Sequence, residues 1–156
     1  MTQNAPHVVA GRMVVLGDVD AAAVLYFATV FRWHEEVFTR WLSAAGFPLG
    51  DLFASGRGLP VRSSWAEYPA SAKLGEILSA TASITALRDT EFVFTTEWRS
   101  EDTDRTVVTV STRHVSCVKD ADSGYFVRAD VWPQLREQLQ HLETDGLDAQ
   151  KDEKER

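Results

Sequence analysis

The sequence predicts an α+β fold in which an antiparallel sheet of five or six strands wraps around one long central helix. Three observations carry this. An apolar segment of helical period runs from Val24 to Ala45, and most of the remaining segments read as strands. Those strands follow one another directly through polar turns, without the alternating helices that a parallel sheet needs. One short terminal helix closes the order.

Val8 to Leu16 is rich in valine and fits a first strand, despite the interruption at Gly11. In the helical segment, Val24, Phe27, Ala28, Phe31, Phe38, Leu42 and Ala45 form one apolar stripe. Val30, Trp33, Val37, Trp41 and Ala44 form a second. Thr29, Arg32, Glu36, Arg40 and Ser43 are the continuous polar face, so most of the circumference is to be covered. Gly46 and Pro48 end the helix. After a loop through Gly50 and Gly56-Arg57-Gly58, strands are expected at Pro60 to Tyr68, Lys73 to Leu87, Phe92 to Arg99, Arg105 to Val118 and Tyr125 to Arg128. Trp132 to Leu142 then reads as the terminal helix, with Leu135, Leu139 and Leu142 on one face.

A chain of 156 residues fits one domain, assigned to residues 1–143, with 144–156 as a charged tail expected to be disordered. The balance of 16 Lys and Arg against 23 Asp and Glu, net −7, and the lack of a basic cluster argue against nucleic-acid binding. Cys117 is the single cysteine, so neither an internal disulfide nor a multi-cysteine metal site can form. Met1 to His7 lacks a signal pattern and no run is long enough for a membrane span. These features lead us to expect a soluble, unprocessed, cytoplasmic protein without a membrane partner.

The richest segment for chemistry is Gly17-Asp18-Val19-Asp20, just ahead of the helical pattern. A carboxylate there, beside the unpaired N–H groups of a helix start, offers a nucleophile or base next to an oxyanion donor. His34-Glu35-Glu36 lacks the second histidine of a zinc motif, and no metal is expected. His114 and Cys117, three apart on one expected strand, point to opposite faces and make no dyad. No Gly-x-Ser-x-Gly elbow supports a serine nucleophile.

The run Asp18-Val19-Asp20, Ala21-Ala22-Ala23, Val24-Leu25-Tyr26-Phe27, Arg32-Trp33 and Glu35 resembles the hotdog-fold acyl-CoA thioesterases of the 4-hydroxybenzoyl-CoA thioesterase family. Pro60-Val61, Tyr68, Ala72 and Gly75-Glu76 resemble that family's second, weaker motif, and the likeness covers roughly residues 8 to 135. It implies a hotdog fold, hydrolysis of an acyl thioester of CoA or of a phosphopantetheine carrier, no cofactor, and a homodimer or homotetramer. Residue by residue it implies Asp20 as nucleophile or general base and the Phe27 backbone N–H as oxyanion donor. Tyr26, Glu35, Ser63 and Arg88 are the substrate-binding candidates.

Several of these residues also fit plainer roles: Asp18 bonding the turn, Asp20 a cap, Tyr26 core packing, and Glu35, on the apolar stripe between Phe31 and Phe38, a partner for a strand backbone, Arg62 or Arg113. Two departures from the family stand out. Ala23 replaces a glycine, so the turn either has negative φ or carries strain. Of an Arg-Arg-Lys group that helps hold nucleotide phosphates, only Arg88 remains. The acyl group is aromatic or a carrier-linked polyketide on this reading. Enediyne polyketide thioesterases share the Tyr-Phe and Arg-Trp segments but replace the acid with asparagine and carry arginine where Phe38 stands here. A non-catalytic acyl-thioester-binding module of the same fold is the alternative from another class.

Overall fold

The computed structural model describes the backbone of residues 8–154 and the side chains of 10–143. The expectations for Met1 to His7 and for the order of the 144–156 side chains lie outside the described residues. In chain order the elements are β1 (Val8–Met13), a single 3-10 turn (Leu16–Asp18), α1 (Thr29–Ala44) and α2 (Leu49–Ala54). They continue with β2 (Arg57–Gly58), β3 (Val61–Glu67), β4 (Ile77–Leu87), β5 (Glu91–Ser100), β6 (Thr106–Val115), β7 (Cys117–Lys119), β8 (Phe126–Arg128) and α3 (Pro133–Lys154).

β1-β4-β5-β6-β3 form one antiparallel five-stranded sheet, and β2-β7-β8 form a separate three-stranded one. β5 lies at the centre. Alternation along it turns Phe92, Phe94, Thr96 and Trp98 toward α1 and leaves Glu91, Val93, Thr95, Glu97 and Arg99 on the other side. α1 crosses the first of these faces, with the Trp33 and Trp98 ring centroids 5.2 Å apart and Phe38 5.0 Å from Phe94 and 4.1 Å from His114. α3 packs beside it along β4 through the fully buried Leu135 and Leu139. On the opposite face a hydroxyl ladder, Thr85 to Thr95 to Ser111, ties three strands together at 3.0 and 2.9 Å. β3 is an edge strand, exposed at every position except Ala66.

Besides a β1 that ends at Met13 instead of Leu16 and a β4 that opens at Ile77 instead of Lys73, four features differ from the sequence expectation. α1 begins at Thr29, not Val24, because the segment around Val24 and Leu25 is held extended by bonds to other strands of chain. Asp20 N–H donates to the Val24 carbonyl at 3.0 Å, Leu25 N–H to Ala72 at 2.8 Å and Tyr26 N–H to Asp18 at 2.8 Å. These bonds hold Val19–Leu25 and Val24–Lys73 as extended bridges. The loop expected around Gly50 instead contains α2 and β2. The long strand expected from Arg105 to Val118 divides at Ser116 into β6 and β7, which belong to different sheets. Finally, α3 continues past Leu142 to Lys154.

Candidate active site

Asp18 and Asp20 have separate tasks. Asp18 is buried, and its Oδ2 accepts from the Val15 N–H at 3.0 Å, capping the 3-10 turn. Asp20 is exposed, and its Oδ1 accepts from the Ala22 N–H at 2.8 Å. Its backbone closes the same turn: the Asp20 carbonyl accepts from Ala23 N–H at 3.0 Å. Asp20 Oδ1 is therefore tethered, while Oδ2 has no partner among the described residues.

The turn does carry strain. Ala23 sits at φ +59°, left-handed backbone that glycine adopts freely and that costs alanine about 1 kcal/mol. Its carbonyl accepts from Leu74 N–H at 3.3 Å, and Leu25 donates to Ala72, so the 72–74 loop holds the turn from outside.

Because α1 starts late, Asp20 is nine residues ahead of Thr29 instead of beside the helix end, which corrects the sequence picture. Phe27 still occupies the approach. The Thr29 N–H donates to the Tyr26 carbonyl at 3.0 Å, making a tight turn whose central residues are Phe27 and Ala28. No backbone carbonyl among the described residues accepts from the N–H of either. Both Tyr26 and Phe27 are largely exposed, at 44% and 59%, and their rings meet edge to face at 4.8 Å. The Tyr68 hydroxyl, arriving from the end of β3, donates to the Phe27 carbonyl at 2.6 Å.

Glu35 is exposed, contrary to the expectation that it lies on a buried stripe. The buried set on α1 is Val30, Trp33, His34, Val37, Phe38 and Leu42, and Glu35 is one residue, about 100°, beyond His34. Arg62 and Arg113 are not its partners either. They converge on Glu91, Arg113 Nη1 at 2.8 Å from Oε1 and Arg62 Nη1 at 3.4 Å from Oε2, with Arg88 Nη1 at 3.8 Å. Burial works to raise the Glu91 pKa, but the hydrogen bond and charge of Arg113, aided by Arg62 and Arg88, outweigh it and hold the carboxyl below its usual range. Three guanidinium groups on one carboxylate leave a local surplus of positive charge.

Ser63 sits beside this cluster on β3, paired in register with Arg113. The candidates thus divide between the two ends of β3. Asp20, Tyr26 and Phe27 gather near Tyr68, whereas Ser63 and Arg88 belong to the Arg62 end, about 20 Å away along the strand.

A shallow cavity of about 470 Å³ borders the Asp20 side, lined by Ser71, Lys73, Leu74, Gly75 and Glu76 with Asp102, Thr103 and Arg105. Glu76 accepts from Lys73 N–H at 2.9 Å and from Ser100 Oγ at 2.7 Å, which holds its carboxyl low. Among the described residues there is no cluster of groups able to hold a metal.

A model of the Thioesterase-like superfamily matches residues 14–139. The chain belongs to that family. Over 78 residues it is 35% identical to the acyl-CoA thioester hydrolase YbgC of Escherichia coli, covering 50% of this chain and 58% of the relative. The match therefore spans little more than half the length of that curated relative. The fold is also that of a 1,4-dihydroxy-2-naphthoyl-CoA thioesterase from Synechocystis, with TM-score 0.74, 22% identity and coverage of 86% and 96% of the two chains. The 4-hydroxybenzoyl-CoA thioesterase of Pseudomonas sp. strain CBS-3 superposes with TM-score 0.70 at 18% identity, covering 83% and 96%. The hotdog fold expected from the sequence is the one observed.

Sequence reasoning missed the Tyr68 bond, the Glu91 cluster and a buried histidine pair. All three join residues far apart in the chain. The signal for Glu91 was a charge opening a strand whose next three residues, Phe92 to Phe94, are apolar on both faces.

Proposed function

We propose that the protein hydrolyses an acyl thioester, releasing a carboxylate and a thiol. The observation that carries this is the exposed Asp20 carboxylate, fixed through one oxygen and presented on the same ordered loop as the two unengaged amides of Phe27 and Ala28. As nucleophile, the Asp20 oxygen attacks the carbonyl carbon, the C–S bond breaks, and water then cleaves the resulting anhydride. As general base, Asp20 removes a proton from a water whose oxygen attacks instead. On either route the carbonyl oxygen becomes negative, and the Phe27 N–H is its donor.

Tyr26 and the exposed Phe27 ring supply an apolar surface for an aromatic acyl group. Exposure of Glu35 fits contact with a polar substrate group better than burial would have. The Arg62, Arg88 and Arg113 cluster with Ser63 favours a CoA thioester, because its surplus charge suits nucleotide phosphates. The open edge of β3, with Val61 and Trp65 exposed, supports a homodimer or homotetramer in which the residues after Pro60 complete the partner's cleft.

Release of thiol from a panel of acyl-CoA, acyl-pantetheine and acyl-carrier-protein substrates tests the proposal. Turnover that falls at least 100-fold in Asp20→Asn and Asp20→Ala supports it. Equal rates in wild type and both variants sink it, and saturable binding without release assigns a binding module instead. Preference for the carrier-protein substrate would assign the polyketide-type reading. Label from heavy-oxygen water appearing in Asp20 after a single turnover selects the nucleophile over the base.

A further inference from the structure

We propose that Tyr68 is a positioning residue for the oxyanion site, aiming the Ala28 N–H as a second donor beside that of Phe27. The inference rests on the thioester-hydrolase reading above. It starts from one bond, the 2.6 Å donation of the Tyr68 hydroxyl to the Phe27 carbonyl. That carbonyl and the Ala28 N–H belong to the same trans peptide, so they point in opposite directions. Whatever fixes the carbonyl fixes the N–H.

The bond also changes the strength of the donor. A hydrogen bond accepted by a peptide carbonyl polarises the unit and makes its N–H a better donor. Neighbouring amides are engaged elsewhere, Leu25 with Ala72, Tyr26 with Asp18 and Thr29 with Tyr26, which leaves Phe27 and Ala28 as the consecutive pair without a backbone acceptor among the described residues. Two donors at a turn before a helix match the geometry an oxyanion needs. Ala28 is already near helical geometry, at φ −78° and ψ −21°, so the pair enters the helix without further rearrangement. Partial burial of the phenol raises its pKa, which keeps it a donor through the neutral and mildly basic range.

The link is long in sequence and short in space, its donor and acceptor lying 41 positions apart in the chain. It joins the end of edge strand β3 to the loop that bears Asp20. A change at the strand edge therefore reaches the reacting carbonyl through one phenol.

The test compares wild type with Tyr68→Phe on one acyl-CoA substrate. The expected result is a fall in kcat of about tenfold with KM unchanged, since the lost donor strength counts only when negative charge develops. Infrared difference spectra of a carbonyl-labelled thioester bound to Asp20→Asn supply a second readout. The carbonyl band should lie below its solution frequency and return part of the way when Tyr68→Phe is added. Site-specific replacement of Tyr68 by a fluorinated tyrosine of much lower phenol pKa keeps the shape. It should introduce a new loss of kcat as pH rises, because a phenolate cannot donate.

Unchanged kcat and an unchanged carbonyl band in Tyr68→Phe, in a protein whose wild type hydrolyses thioesters, overturn the inference and leave the enzyme reading intact. Absence of turnover in wild type overturns the enzyme reading and this inference with it. A loss of thermal stability alone, with kinetics and band unmoved, assigns Tyr68 a purely structural role and also overturns it.

Discussion

His34 Nε2 lies 2.8 Å from Thr112 Oγ1, joining the central helix to strand β6 inside the core. The direction of the network follows from its ends. The Leu59 carbonyl can only accept, so His114 Nδ1 donates to it at 2.9 Å and its Nε2 accepts from Thr112 at 2.9 Å. Thr112 then accepts from His34 Nε2, His34 Nδ1 accepts from Thr96 at 2.7 Å, and Thr96 accepts from Trp98 Nε1 at 3.2 Å. Both histidines are neutral in this arrangement.

Acid should therefore destabilise the fold before it titrates ordinary surface carboxylates. Burial, with the nearby His114 as a lesser cause, lowers the His34 pKa to about 4 from 6.5, and burial lowers that of His114 as well. A depressed histidine means that the unfolded chain binds the extra proton first. Stability is then fully present above pH 6.5 and falls as pH drops toward 4, by on the order of 3 kcal/mol for His34. Urea midpoints between pH 7.5 and 4.5 check this, and His34→Leu should flatten the slope.

Removing the central link should cost more than removing a typical surface hydroxyl. Thr112→Val leaves His34 Nε2–H without an acceptor and His114 Nε2 without a donor, at about 2–3 kcal/mol, while Thr112→Ser keeps both bonds and stays near wild type. Chemical denaturation at pH 7.5 separates the two variants.

Ala23→Gly should stabilise the protein. The φ of +59° costs alanine about 1 kcal/mol, part of which glycine returns as unfolded-state entropy, leaving a net gain of about 0.5 kcal/mol. Ala23→Val should lose about 1–2 kcal/mol, because a β-branched side chain tolerates the region poorly. Differential scanning calorimetry gives both signs.

Arg62→Ala and Arg88→Ala should raise KM for an acyl-CoA several-fold with kcat nearly constant, and leave an acyl-pantetheine unaffected. The wild-type preference for CoA should shrink as salt rises from 50 to about 500 mM. Equal sensitivity of both substrates would place the phosphates elsewhere.

Much of the architecture was legible because it depends on period and punctuation. β5 and β3 were expected within one residue at each end, and β8 differs by one residue at its start alone. The start of α1 was not legible, since Val24 to Ala28 match helical spacing but Leu25 and Tyr26 spend their amides on Ala72 and Asp18, contacts that only the folded chain brings near. The same limit misplaced Glu35: spacing gave two adjacent stripes, and the inward face took members of both, Val30, Trp33 and Val37 with Phe38 and Leu42, set by Phe94 and Trp98 across the interface. The turn bond of Asp18 was readable, being local, and Ala23 was marked as the position where either negative φ or strain had to be found. Tyr68 was visible only as a matching aromatic residue, because its partner is a backbone oxygen that no side-chain pattern marks.

The bond from Ala22 N–H to Asp20 Oδ1 has a kinetic meaning as well as a geometric one. A free aspartate samples several rotamers, and each reaction cycle would have to select the right one. Here that freedom is surrendered once, on folding, so that under the proposed hydrolysis the second oxygen would meet the thioester without a rotational search.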